Sequence, residues 1–468
     1  MANLLESYKN RLAISESIHQ KSHNGAKMSA QKKLMIASVL NNTSKFMNEA
    51  FDNTAATQRS ALGDYKRFCL NISTVALPNL ILPELMLTQP MSSIAGYVTY
   101  LRYTSGTAKG GVGLGETFNS VYRLGEMDRE RMNYTADRVA EEATVTDGKV
   151  TLAWAPVAKI AKIEAVEGSM ENVTYTFDSK TGVVTFTAGE QTEDAAAGVI
   201  PTKVKVAYIY DNVVIPQNNL PTLKAEMDVI ELHAHARRIA VYYSQIAAFQ
   251  AKTDYGTDIG EQLAAQAQGE LAYEIDTEGV MMLYKGAEHD TTIDFESYEL
   301  SNQNTYISRS QYYEYFNEII ARAKQVLYKR TQKFAPNYMV VGTDVISILP
   351  YLKGWTAAPA STFNGPYFAG TVDGIKVFVS PSIKANEYFF GVNGSDLQTS
   401  AGVYAPYMAI VPTQLLGFAD GTMSQGFSTM YDMKLLSTYS GEIGVNAKDD
   451  KDGEHSWLLV KGEFKLAA

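Results

Sequence analysis

The sequence is poor in the residues that most small-molecule chemistry needs. Its 468 residues hold one cysteine, Cys69, and six histidines. A lone cysteine excludes an intrachain disulfide frame and every CxxC metal or redox motif. Cys69 is expected to be a buried, inert thiol. No apolar run is long enough to span a bilayer, and the N-terminus lacks the layout of a signal peptide. The expectation is a chain in the cytoplasm with no membrane partner. A basic excess is missing too: 41 Lys and Arg stand against 51 Asp and Glu, a formal charge of −10. A nucleic-acid reader would carry a basic stripe, whereas an acidic surface repels DNA. GxSxG, HExxH, a Walker A loop and a Cys–His arrangement are all absent. No catalytic, cofactor-binding or metal site is expected.

What is present is ordinary globular composition, 46% hydrophobic and 20% charged, in a chain long enough for two to four domains. The 29 tyrosines suit extensive protein–protein contact and equally suit half-buried sheets. The clearest stretch runs from Pro336 to Pro412. Four apolar runs there are separated by Gly, Pro, Asn-Gly and Asp-Gly signals, the pattern of a buried sheet with tight connections. In GIKVFVS, Ile375, Val377 and Val379 share one face. Asp373-Gly374 supplies a turn before that strand, and Pro381 ends it.

Residues 1–52 read as two amphipathic helices. The first carries Leu4, Leu5, Tyr8, Leu12 and Ile18; the second, Ala30 to Phe51, carries Leu34, Met35, Val39, Phe46 and Met47. Between them lies HQKSHNGAKMS, read as a polar joint. Such an arm cannot fold alone and must pack on the body or on a neighbour. In VALPNLILPELMLTQPMSS, Pro78, Pro83 and Pro90 forbid a continuous helix or central strand, so an irregular extended segment is expected. Residues 144–213 hold five short β runs, with a hairpin at Asp178 to Gly182. A long helix is expected from Thr257 or Asp258, with Ile259, Leu263, Ala267, Leu271 and Ile275 every four residues and Met282 beyond. Gly269 and Gly279 weaken it without ending it. A second helix is expected behind a Ser308–Gln311 capping box. Its apolar stripe starts at Tyr312, Tyr315 and Phe316, and Glu318 pairs with Arg322 on its outer side.

Several stretches invite a sharper reading and lose it. Five glycines from Gly106 to Gly115 suggest a phosphate cradle, but neither GK[ST] nor GxGxxG spacing follows. A mobile extended loop is the better reading. His233, His235 and Glu231 share strand spacing but lack further ligands. The acidic NAKDDKDGE at 446–454 starts a calcium loop with the wrong residue and reads as a solvated hairpin loop. An arm, a Gly-tipped loop, a β region, a long helix and a compact mixed domain remain. Arms and loops are costly to order in a monomer and become favourable on neighbouring copies.

The order of these segments resembles the major capsid proteins of contractile-tailed bacteriophages. LPNLILPELMLTQPMSS followed by GYVTYLRY is similar to the segment after that family's N-terminal arm. ELHAHARRIAVYYSQIAAFQAKTDYGTDIGEQLAAQAQGEL resembles the strand returning from its extended loop and the spine helix. APNYMVVGTDVISIL, GTVDGIKVFVSP, EYFFGVNGSD and GVYAPYMAIVP resemble its axial domain, and SWLLVKGEF its closing strand.

The resemblance implies an α+β tailed-phage capsid fold, shared with herpesviruses, carrying an inserted small all-β domain. The implied division is arm 1–76, extended segment and first body strand 77–103, extended loop 104–143 and β insertion 144–213. It continues with the returning strand and peripheral domain 214–307, whose spine helix occupies 258–284. The axial domain 308–430 and closing strands 431–468 complete it. It also implies self-assembly into hexamers and pentamers of an icosahedral shell in the virion, built in the host cytoplasm. That shell encloses DNA without reading its sequence. Scaffold, portal, vertex and decoration proteins are the implied partners. Relatives lose an N-terminal piece after a Glu, for which Glu49 is the candidate. Some crosslink through a loop lysine; Lys109 is the loop lysine here, and no crosslink is inferred. Two alternatives stand beside this reading. One is a minor vertex subunit of the same fold. The other is a carbohydrate-active enzyme with a β module.

Overall fold

The computed structural model describes residues 2–23, 25–51, 70, 74, 77–109, 113–115, 134–189, 198–211, 220–256, 259–301, 308–331, 333–359, 365–413, 416–439 and 453–466. Cys69 lies outside these residues, as do 110–112 of the glycine-rich loop and 446–452 of the acidic segment. The chain forms two compact units. One comprises 1–98, 121–123 and 229–468, and the other 99–120 and 124–228.

The first unit is built on two sheets. In the larger, the four-residue strand Tyr338–Val341 is central. It pairs in parallel with Ile375–Val379 and antiparallel with Glu387–Gly391, which in turn pairs with Leu459–Lys465. Every residue of Tyr338–Val341 and Glu387–Gly391 is buried. Runs covered on both faces have no polar alternation, which is why the sequence shows them as unbroken apolar blocks. Burial of Phe389 and Phe390 contributes roughly 1.5–3 kcal/mol each. The turn before Ile375 is the expected one: Asp373 and Gly374 both have positive φ, 48° and 78°, the requirement of a type I′ turn. One expectation fails here. Gly402–Pro412 leaves the larger sheet and pairs instead with Leu87–Thr88 and Thr422–Leu435 in a second, five-stranded sheet.

The N-terminal helices pack on the body of their own chain. Met35, Ile36, Val39 and Leu40 of the helix Ala30–Phe51 enter the main core. Asn42 donates to the carbonyls of Met91 and Tyr407, at 2.6 and 3.0 Å, and Thr43 accepts from the Ala409 amide. The proline-rich segment is not extended throughout. Leu77–Asn79 forms a 3₁₀ turn and Leu82–Leu85 a helical turn, with Pro83 at its start, where a missing N–H costs nothing. The long helix spans Ile259–Gly286, about 42 Å at 1.5 Å per residue. A four-residue repeat drifts around a helix of 3.6 residues per turn. Its buried face therefore moves from Ala267, Leu271 and Ile275 to Val280 and Leu283. Gly279 lets Leu82 approach; a Cβ there would lie 2.2 Å from Leu82 Cδ2.

The second expected helix is two, Arg309–Glu314 and Phe316–Thr331. At the junction the Tyr315 amide bonds to Tyr312, three residues back, which tightens the turn and leaves Tyr315 exposed. The Ser308–Gln311 capping box is present, and Arg322 meets Glu318 at 2.6 Å.

The second unit holds two three-stranded sheets. Lys203–Tyr210 lies between Arg138–Thr144 and Val157–Glu167, and Val183–Ala188 between Lys149–Thr151 and Val173–Phe177. Val204, Val206, Tyr208 and Tyr210 alternate inward and meet Trp154, Val184 and Phe186 in a separate core. The Asp178–Gly182 hairpin has Gly182 at φ 68°. The strand Arg138–Thr144 lies where a loop was expected, because RVAEEAT buries only Val139 fully and its charges mask the alternation.

Candidate functional site

One open surface of the first unit follows from the edge of its five-stranded sheet. His235–Ser244 pairs over ten positions with Thr422–Leu435. Among the described residues no strand pairs its other side. An open edge offers a row of N–H and C=O groups to another chain, and Arg237 and Arg238 keep it from being apolar. Tyr242 on this strand is 66% exposed. The helix Gln245–Tyr255 follows directly and ends at Gly256 in the left-handed conformation. Ile246 and Phe249, 70% and 71% exposed, stand three residues apart and so share one face. Large apolar side chains exposed together at an open edge are the kind of surface another chain can cover.

The residues weighed from the sequence are not brought together as a site. Glu231, His233 and His235 are exposed, and the His233 amide donates to Asp432. Lys109 is not a free loop lysine. It is buried, donating to the Tyr134 and Ala136 carbonyls and the Tyr210 hydroxyl, and its ammonium sits 5.2 Å from the centre of the Trp154 ring. Burial pulls its pKa down. Such a lysine is held as structure. Glu49 lies in the helix Ala30–Phe51, and its side chain is outside the described residues.

A buried polar cluster in the first unit escaped the sequence reading. The joint HQKSHNGAKMS is not simply polar surface: His19 and His23 are 4% and 8% exposed. Their rings stack at 4.0 Å. His23 Nε2 lies 2.8 Å from Glu84 Oε1, and His19 Nε2 lies 4.0 Å from the same oxygen. Lys32 Nζ stands 3.7 Å from it and donates to the Leu80 carbonyl; Lys376 reaches Glu84 Oε2 at 2.9 Å. Burial alone would raise the Glu84 pKa, but the His23 hydrogen bond and the surrounding cations hold it far below the usual range. Burial, with help from Lys32, pushes His19 down to about 4. Nearby, Asp276 of the long helix is fully buried and accepts from the Ile81 and Leu82 amides at 3.2 Å. Burial pushes it up to about 7. The i, i+4 spacing of His19 and His23 was legible; Glu84, 61 residues later, was not.

Residues 63–458 match the protein family described as Major capsid protein Gp23. The chain belongs to that family. It is therefore a structural capsid protein with the tailed-phage capsid fold, not an enzyme, and it forms the shell of the virion by association with copies of itself. A comparison with curated proteins finds no match. Among solved structures, the capsid of Myoviridae phage XM1 aligns at 7% identity over 76% of this chain and 96% of that one, with a TM-score of 0.34. A chain of Microbacterium phage Oxtober96 aligns at 13% identity over 83% and 98%, with a TM-score of 0.32. One of Mycobacterium phage Cain aligns at 10% over 74% and 89%, with a TM-score of 0.31. These scores are low, and fold and function rest on the family match.

Proposed function

We propose that this Gp23-family chain forms the hexamers and pentamers of an icosahedral shell around the genome of a contractile-tailed phage, assembled in the host cytoplasm. The family match over residues 63–458 carries the reading. In it, residues 308–430 act as the axial domain, 258–284 as the spine helix and 104–143 as the extended loop. The β region from 144 to 213 is an insertion in the body. The edge strand His235–Ser244 and the exposed Ile246 and Phe249 are intersubunit contacts. Heterologous contacts of this kind close into rings around symmetry axes. Summed over a shell, contacts that are modest singly become nearly irreversible. The formal charge of −10 keeps packaged DNA from being trapped by ion pairing. Scaffold, portal, vertex and decoration proteins are the partners such a shell would engage. Cryo-electron microscopy of particles, with subunit copy number from mass-calibrated gels, tests this. Density for the chain in both hexamers and pentamers supports it. Copies confined to the five-fold positions would instead make it a vertex subunit.

A further inference from the structure

We propose that His19, His23 and Glu84 form a binding site for one divalent transition-metal ion of the zinc class. The ion would tie the N-terminal helix Lys9–Ser22 to the Leu82–Leu85 turn. The donor atoms of these three side chains lie within 4.8 Å of one another. Donors about 2.0–2.2 Å from one tetrahedral ion stand about 3.4 Å apart, so small side-chain rotations close the set. His23 Nδ1 lies 3.2 Å from the His19 carbonyl, an acceptor for a ring N–H. Nε2 lies 2.8 Å from Glu84 Oε1, so an arriving ion takes the place of the proton shared between those two atoms. A ring N–H donated to a backbone carbonyl is how ligating histidines are usually held. Ligand types fit as well: two imidazoles and one carboxylate are the nitrogen and oxygen donors that zinc takes. The cluster lines a cleft of ≈ 670 Å³.

Two cations now share Glu84. Lys376 is half exposed and sits on the rim, free to turn to solvent when an ion arrives. Lys32 is buried and stands farther off, its Nζ 3.7 Å from Glu84 Oε1 and held by the Leu80 carbonyl at 3.2 Å. An ion placed between His23 and Glu84 takes over the positive charge that these lysines supply.

The test uses the purified, chelator-stripped full chain titrated with Co²⁺ and then Zn²⁺. One Co²⁺ per chain should bind, with the visible absorption of a low-coordinate nitrogen and oxygen site, and Zn²⁺ should displace it. His19→Gln and His23→Gln should each weaken Co²⁺ binding more than tenfold, while His233→Gln and His235→Gln leave it unchanged. Zn²⁺ should raise the thermal midpoint of the parent by several degrees and leave that of His23→Gln unmoved. Because His19→Gln and His23→Gln disturb a buried site, Lys376→Met is the second arm. It removes a surface competitor and should tighten binding several-fold. Sub-stoichiometric binding overturns the proposal. So does affinity indifferent to His19 and His23, or affinity unchanged or weakened by Lys376→Met.

Discussion

Asp276 offers the sharpest energetic test of the fold, because its carboxyl is buried and its titration is displaced. An ordinary aspartate titrates near 3.8, whereas burial pushes Asp276 up to about 7 in the folded chain. Between those values the folded state keeps a proton that the unfolded state has released. Stability from this group is thus fully present below about pH 4 and is lost as pH rises through 7. At about 1.4 kcal/mol per pH unit, the three-unit interval has a ceiling of about 4 kcal/mol, and about 3 kcal/mol of it falls between pH 5 and pH 8. Asp276→Asn keeps an acceptor for the Ile81 and Leu82 amides but cannot titrate. Urea midpoints of the unassembled chain should therefore show the variant gaining on the parent by up to about 3 kcal/mol from pH 5 to pH 8, then running parallel. Parallel curves across the whole interval would refute the displaced titration. A variant that loses ground as pH rises would refute the assigned sign.

Other substitutions probe other parts. A Cβ at Gly342 would meet the carbonyl oxygens of Lys384 and Ala385 at 2.3 and 2.4 Å. Gly342→Ala should thus cost about 2–4 kcal/mol in urea denaturation, since backbone rather than a side chain must move. Lys109→Ala strips the donor from two carbonyls and a tyrosine hydroxyl. The Tyr210 hydroxyl still donates to the Ala136 carbonyl, so the Tyr134 carbonyl is the group that loses this donor, and a loss of about 1–3 kcal/mol is expected from the second unit, read by tryptophan fluorescence. Joint Ile246→Ser and Phe249→Ser changes should leave the circular dichroism of the unassembled chain unchanged and sharply reduce shell yield. Unchanged yield would remove that helix from the contact surface.

Local chemistry was the most legible part of the sequence. The Ser308–Gln311 capping box, the Asp373-Gly374 turn and the helix over Ala30–Phe51 depend on residues within a few positions of one another, and all three are present. What depends on distant partners was not readable. Gly402–Pro412 looks like its neighbours in the apolar runs, yet hydrogen bonding to Thr422–Leu435 puts it in another sheet. Nothing near Tyr315 breaks a helix, yet Tyr313 and Phe316 on either side are buried while Tyr315 stays exposed. His19, His23, Lys32, Glu84 and Asp276 are ordinary polar residues in sequence, and only the fold gathers them away from water. The candidate contact surface was invisible for a related reason: exposure of Tyr242, Ile246 and Phe249 is a property of what fails to cover them.

The central claim is that this chain is built to surround itself with copies of itself. Sedimentation velocity joined to electron microscopy of the purified full chain, alone and with a scaffold, tests it most directly. The account predicts capsomers that convert to closed shells as concentration rises. A strictly monomeric chain under every assembly condition would contradict it.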